Sequence, residues 1–273
     1  MELTSGAAIV TGAAGGIGGA LAQRFATEGL AVVLADLDAG RLATAVEALP
    51  DGSRVATVVG DVADPAHHAE LVAAAQDLGG LELSVLNAAV YLPGLSWDMP
   101  MEQWELQVNA NFWGVLHGVR AAVPAMIANG RGSVVAVSSG AGLVAMPMLA
   151  PYVATKHAVV GLMESLHHEL RRTHPDVHAS VVCPGNIATP LAMNSLDAAN
   201  VINEQLPEAA AEVVASLRDG VANGANPASV ADAVVQGVRD DVFWILPQPE
   251  VAYGALDRVQ RMVDGRPPVD LAG

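Results

Sequence analysis

Short apolar runs alternate along this chain with longer stretches of helical period. The runs are AAIV (7–10), LAVVLAD (30–36), VATVVGD (55–61), LELSVLNAA (81–89), GSVVAVSS (132–139), VHASVVCPG (177–185) and VFWILP (242–247). Between them, 17–28, 38–49, 66–78, about 101–128 and 151–172 read as helices. Pro65 marks one helix start and Asn226 followed by Pro227 another, because asparagine caps a helix and proline fits its first turn. Strands apolar on both faces, each followed by a helix, make βαβ units and hence a parallel sheet with helices on both sides. The expected fold is α/β: a doubly wound parallel sheet of about seven strands, one domain over 1–273. No linker, repeat or low-complexity tract divides it. The segment 190–226 follows the sixth strand, where strand carboxyl ends face a ligand crevice, and is expected to be a substrate-binding lid. The tail 250–273 should be a short helix with a proline-rich end.

Composition narrows the function. The 273 residues are 52% apolar, which excludes a disordered chain. A formal net charge of −16 argues against nucleic acid as a partner, since phosphate backbones need clustered Lys and Arg. The single cysteine, Cys183, forms no intramolecular disulfide and fits a reducing cytoplasm. The opening MELTSGAAIVTG has no basic segment before its apolar run and does not read as a secretory signal. Residues 132–155 carry no charge, but Ser138, Ser139, Gly140, Gly142, Pro147 and Pro151 break them into strand, loop and helix start; no membrane span is expected.

TGAAGGIG (11–18) joins the first strand to the first helix. It fits T-G-x-x-x-G-x-G through Gly12, Gly16 and Gly18. Glycine permits the sharp turn and lets a pyrophosphate approach the helix N-terminus, where free N–H groups favour anions. A plain tight strand–helix connection would use the same residues. Asp36, at the end of the second strand, could accept the ribose hydroxyls of an adenosine and would repel a 2′-phosphate. The turn itself offers no Arg or Lys to hold such a phosphate, so NAD is expected over NADP. Asp61 could take the adenine amino group, Val62 could pack on the ring, and Asn87 could tie neighbouring strand ends together.

Tyr152 and Lys156 lie one turn apart on one helix face. A phenol near pKa 10 is a poor acid or base at neutral pH, and a nearby ammonium lowers that value. Tyr-x-x-x-Lys therefore suits proton transfer. Ser139 closes the fifth strand at the same sheet edge and could hold a substrate oxygen.

Taken in order, TGAAGGIG, Asp36, Asp61–Val62, Asn87–Ala88–Ala89, VNANFWG (108–114), Ser138–Ser139, YVATK (152–156) and PGNIATP (184–190) resemble the short-chain dehydrogenase/reductase family, in its compact single-domain branch with a Rossmann-type fold. The resemblance implies that Tyr152 is the acid/base, that Lys156 lowers its pKa and holds the nicotinamide ribose, and that Ser139 binds the substrate oxygen. Asn111 would be the fourth member, holding a water between lysine and solvent; Asn109 is the near alternative. Ile187 and Thr189 would dock the carboxamide. Cofactor contact would extend to Gly15, Ile17, Leu37, Ala88, Ala89, Pro184 and Gly185. The family usually has Asn-Ala-Gly where this chain has Asn87-Ala88-Ala89, which adds a methyl near the cofactor. Helices 101–128 and 151–172 would pair between subunits, giving a homotetramer or a homodimer.

Met146, Leu149 and Met193, with Tyr91 after the fourth strand, should flank the substrate beside Ser139 and Tyr152. Their apolar character points to a bulky secondary alcohol or ketone; packing against one another or a partner subunit is the competing reading. No H-E-x-x-H and no Cys/His cluster exists, so no metal is expected. The His67–His68 pair sits on a helix with its members expected to point apart. The implied activity is NAD-dependent alcohol/carbonyl oxidoreduction. NADP use, an epimerase or dehydratase of the same family, and a non-catalytic dinucleotide sensor remain as alternatives.

Overall fold

The computed structural model describes residues 3, 5–189 and 208–269. Seven strands form one parallel sheet: β1 Ala7–Thr11, β2 Ala31–Asp36, β3 Val55–Val59, β4 Leu81–Leu86, β5 Gly132–Val137, β6 Val177–Val182 and β7 Trp244–Ile245. Their spatial order is β3-β2-β1-β4-β5-β6-β7, every pairing parallel. The order reverses between β1 and β4, and the carboxyl ends there open a crevice. The helices are α1 Gly16–Thr27, α2 Ala39–Glu47, α3 Pro65–Asp77, α4 Met101–Val108, α5 Gly114–Asn129, α6 Ala150–Thr173, α7 Glu208–Ala222, α8 Pro227–Arg239 and α9 Val251–Val263.

Side chains alternate across the sheet with period two, so each strand feeds two cores. Ile9, Val33 and Ala136 face α3, α5 and α6, meeting Leu71, Met126 and Met163. Val10, Leu34 and Val135 face α1, α2 and α8, meeting Phe25, Leu42 and Val234. The inner strands β1, β4 and β5 are buried throughout, β2 and β6 all but at Asp36 and His178, while the edge strands β3 and β7 are partly exposed.

Helix starts follow the expected chemistry. Asp38 accepts from Gly40 N and Arg41 N at the head of α2, Asp64 caps α3 before Pro65, and Asn226 caps α8 before Pro227. Two expectations need correction. The helix expected over 101–128 is interrupted: Asn109–Trp113 form a π-helical turn between α4 and α5. The last strand, expected over 242–247, is only Trp244–Ile245, since Asp241 takes a left-handed φ of 54° before it and Pro247 follows. Among the described residues, no helix is long and apolar enough to cross a membrane. Of the expected lid over 190–226, residues 208–222 are α7, while 190–207, with Met193, lie outside the described residues.

Candidate active site

Two connected cavities open along the carboxyl edge of the sheet. The larger, about 420 Å³, is lined by the glycine turn, Asp36, Leu37, Asp61, Val62, Asn87, Ala88 and Ala89. Ile17, Asn87, Ala89 and Thr189 also line the smaller one, so the two share a wall. Gly12 and Gly16 hold left-handed φ values of 64° and 56°, which the turn requires. A Cβ on Gly12 would stand 2.9 Å from Ala88 Cα. Asn87 does tie strand ends together: its Nδ2 donates to Thr11 O (2.9 Å) and Gly12 O (3.3 Å). Thr11 Oγ1 accepts from Asn87 N and Ala88 N in return. Asp36 Oδ2 accepts from Ala14 N (3.0 Å), fixing its carboxylate against the turn. Backbone cradle, strand-end carboxylate and apolar Leu37 and Val62 together fit an adenine dinucleotide.

Beside the Gly60 and Val62 wall of this cavity sit two buried imidazoles. His68 Nε2 lies 2.9 Å from Val62 O and so carries the proton it donates there. The His67 ring fills the space beside Gly60, where a Cβ would lie 2.4 Å from Nδ1, and its Nε2 has no partner. The two rings, expected to point apart, are both buried, with centroids 6.0 Å apart. Burial pushes both pKa values below 6.5; for His67, Glu70, Asp64 and Asp61 pull upward, while for His68 the Val62 carbonyl and Asp64 oppose and His67 and His117 add to the lowering. The unfolded chain therefore takes up these protons first as pH falls below about 6.5. Thermal stability should drop through that window, and His68→Gln should flatten the drop. A melting temperature independent of pH from 7 to 5 would contradict this.

The smaller cavity, about 150 Å³, holds Ser139, Tyr152 and Lys156. Lys156 is 2% exposed; its Nζ donates to Val137 O (2.8 Å) and lies 5.5 Å from the Tyr152 ring centroid. Ser138 Oγ donates to Lys156 O, pinning α6 to the end of β5. Burial pulls Lys156 down to about 8, and desolvation raises the Tyr152 phenol while Ser139 beside it pulls the other way. This corrects the expectation of a phenol lowered by ammonium. In the free protein Lys156 loses its proton before the phenol ionises, so no positive charge remains to assist it. Lys156 is the only lysine of the chain, so isotope-labelled lysine gives a single resonance. It should titrate near pH 8; a midpoint at the ordinary 10.5 would refute its desolvation. Since the folded value lies below the unfolded one, charged Lys156 costs stability up to pH 8, and stability recovers as pH rises toward 10.5.

Asn111 is wholly buried in the π turn. Its Oδ1 accepts from Val90 N (2.6 Å) and its Nδ2 donates to Val90 O (2.8 Å) and Thr155 Oγ1 (3.3 Å). Thr155 Oγ1 in turn donates to Tyr152 O. Asn111 thus braces the loop after β4 against the Tyr152–Thr155 turn of α6; none of its amide hydrogen bonds reaches Lys156. π turns recur at functional sites because the extra residue redirects a side chain.

The walls around Tyr152 are apolar. Tyr91 packs edge-on against it, centroids 5.1 Å apart at 83°. Leu149 is buried in the same cluster and Met146 packs against it. Pro184, Gly185, Ile187 and Thr189 form the facing wall. Sequence reasoning did not name Val214 and Leu217 of α7, which close this cluster. Their helical spacing was visible, but not where the helix would land. It also missed Gln248, whose Oε1 accepts from Gly185 N (2.9 Å), and Arg41, which reaches the larger cavity from α2.

Comparisons with known proteins agree with this geometry. A short chain dehydrogenase family model matches residues 6–200. The chain is 30% identical over 271 residues to a CLA biosynthesis dehydrogenase/reductase of Lactiplantibacillus plantarum, covering 96% of this chain and 95% of that protein. It is 39% identical over 196 residues to 1-deoxy-11-beta-hydroxypentalenate dehydrogenase of Streptomyces avermitilis, covering 70% and 72%. A short chain dehydrogenase/reductase from Burkholderia phymatum, solved in complex with NAD, matches at TM-score 0.91 and 31% identity over 99% of this chain and 98% of that one. The chain belongs to the short-chain dehydrogenase/reductase family, and it is an oxidoreductase of the alcohol dehydrogenase and ketoreductase type.

Proposed function

We propose that the protein interconverts a bulky, apolar secondary alcohol and its ketone, with NAD as the redox partner. The observation that carries this is the Tyr152 phenol, set beside Ser139 and near Lys156 in the smaller cavity, which shares a wall with the larger one. Gly12, Gly16 and Gly18 would admit the pyrophosphate, Asp36 the adenosine ribose, and Ile187 and Thr189 the nicotinamide end. The nicotinamide supplies hydride chemistry when bound. Ser139 would donate a hydrogen bond to the substrate oxygen, and Tyr152 would exchange a proton with it. The neutral phenol favoured by desolvation is the form that protonates a carbonyl oxygen, so reduction suits neutral pH and oxidation should accelerate as pH rises. Lys156 is the only cation lining the described part of the substrate cavity, which supports an uncharged substrate over a phosphate or carboxylate.

The intact Ser139, Tyr152 and Lys156 favour an enzyme over a dinucleotide sensor. Exposed Met101 on α4 and Trp113 ahead of α5 support pairing through the α4–α5 face in a homotetramer, which light scattering would check. The function is tested with a panel of alicyclic and long-chain secondary alcohols and NAD, followed at the NADH absorbance, with NADP in parallel. Turnover of apolar members with NAD is expected. Turnover confined to NADP, or to charged alcohols, would overturn the assignment.

A further inference from the structure

We propose that Arg41 is a latent receptor for a 2′-phosphate, and that Asp36 keeps it from giving the enzyme an NADP preference. This deepens the dinucleotide reading above and rests on it.

The glycine turn carries no cation, but the fold brings one to it from α2. Asp38 caps that helix and accepts from Arg41 N (3.0 Å), which sets Arg41 in its first turn. From there the guanidinium folds back over the turn. Its Nη2 lies 3.5 Å from Ala14 O and 3.3 Å from the point where a Cβ on Gly15 would stand. Ala14 N meanwhile donates to Asp36 Oδ2. Cation and anion therefore grip opposite ends of one residue, Ala14, and both line one cavity.

The two charges do not neutralise each other. Asp36 spends Oδ2 on Ala14 N and Oδ1 on Asp38 N (3.3 Å), and Arg41 forms no salt bridge with any described residue. Asp36, Asp38 and Asp61 line this cavity with Arg41 as its one cation among the described residues. A carboxylate fixed where the ribose hydroxyls bind repels a phosphate there, and a guanidinium beside it offers the planar fork that phosphate prefers. With Asp36 present the repulsion wins; without it, Arg41 is left as the nearest charge.

The test is a double-mutant cycle on NAD and NADP affinity, measured by calorimetry on wild type, Asp36→Ser, Arg41→Ala and the pair. Asp36→Ser should raise NADP affinity and lower NAD affinity. Adding Arg41→Ala should then cost NADP about 10- to 100-fold, at least tenfold more than it costs NAD. Arg41→Lys should recover only part, since a point charge lacks the fork. Equal losses for both dinucleotides would overturn the proposal, placing Arg41 on the shared pyrophosphate. So would an Asp36→Ser protein whose NADP affinity ignores Arg41. Wild type that binds neither dinucleotide would overturn the cofactor reading itself, a result distinct from those two.

Discussion

Tyr152→Phe should cut kcat by roughly 10²- to 10⁴-fold, the range general acid–base groups supply, while the protein still folds and binds NAD. Phenylalanine keeps the ring that packs edge-on against Tyr91, so the cavity wall survives and only the hydroxyl is lost. The pH profile carries the argument further. A unit charge 5.5 Å away at an effective dielectric of 20 is worth about 3 kcal/mol, or about two pKa units for a phenol. That help exists only while Lys156 keeps its proton, and burial has brought Lys156 to about 8. Reduction should therefore be flat below pH 8 and weaken above it, while oxidation should climb with pH. The Phe variant should lose both trends along with the rate. A Tyr152→Phe enzyme with wild-type kcat would remove the proton-transfer role. An oxidation rate independent of pH would remove the account of the ionisation order.

Most of the frame was legible because its causes are local. Apolar runs on both faces of a strand can only be buried strands between helices, and the glycine turn, Asp36 and the Tyr152–Lys156 spacing each state their chemistry within a few residues. What the sequence hid depends on distance through space. The π turn that aims Asn111 at Val90 and Thr155 leaves no mark on a helical periodicity that continues through it. Arg41 looks like an ordinary first-turn residue until α2 packs beside the glycine turn. The direction of the Tyr152 pKa failed for a similar reason. Spacing places an ammonium near a phenol, but burial decides which of the two still holds its proton. His67 and His68 were expected on opposite sides of a helix, yet the loop over Gly60 and Val62 covers both.

Gly18→Ala and Gly19→Ala should have opposite effects, though the residues are neighbours in the first turn of α1. Neither glycine holds a left-handed backbone, so conformation is not what separates them. Space is. A Cβ on Gly18 would lie 2.1 Å from Gly12 O and 2.8 Å from Asn87 Nδ2. Those atoms cannot yield cheaply. Gly12 is fixed at φ 64°, and its carbonyl accepts from the same Asn87 amide that joins β1 to β4. Alanine there must push α1 away from the strand ends, opening the turn that we propose receives a pyrophosphate. Overpacking of this kind costs about 1–3 kcal/mol, with a rigid backbone contact at the upper end. A Cβ on Gly19 would meet nothing nearer than Ala13 O at 3.6 Å, an ordinary contact. Alanine in a helix is worth up to about 1 kcal/mol over glycine, so Gly19→Ala should melt higher than wild type. Gly18→Ala should melt lower, bind NAD at least about tenfold more weakly and gain little stability from added NAD. Thermal melts of both variants, with and without NAD, decide it: a Gly18→Ala protein that NAD stabilises as fully as wild type would mean that the cofactor does not enter through this turn.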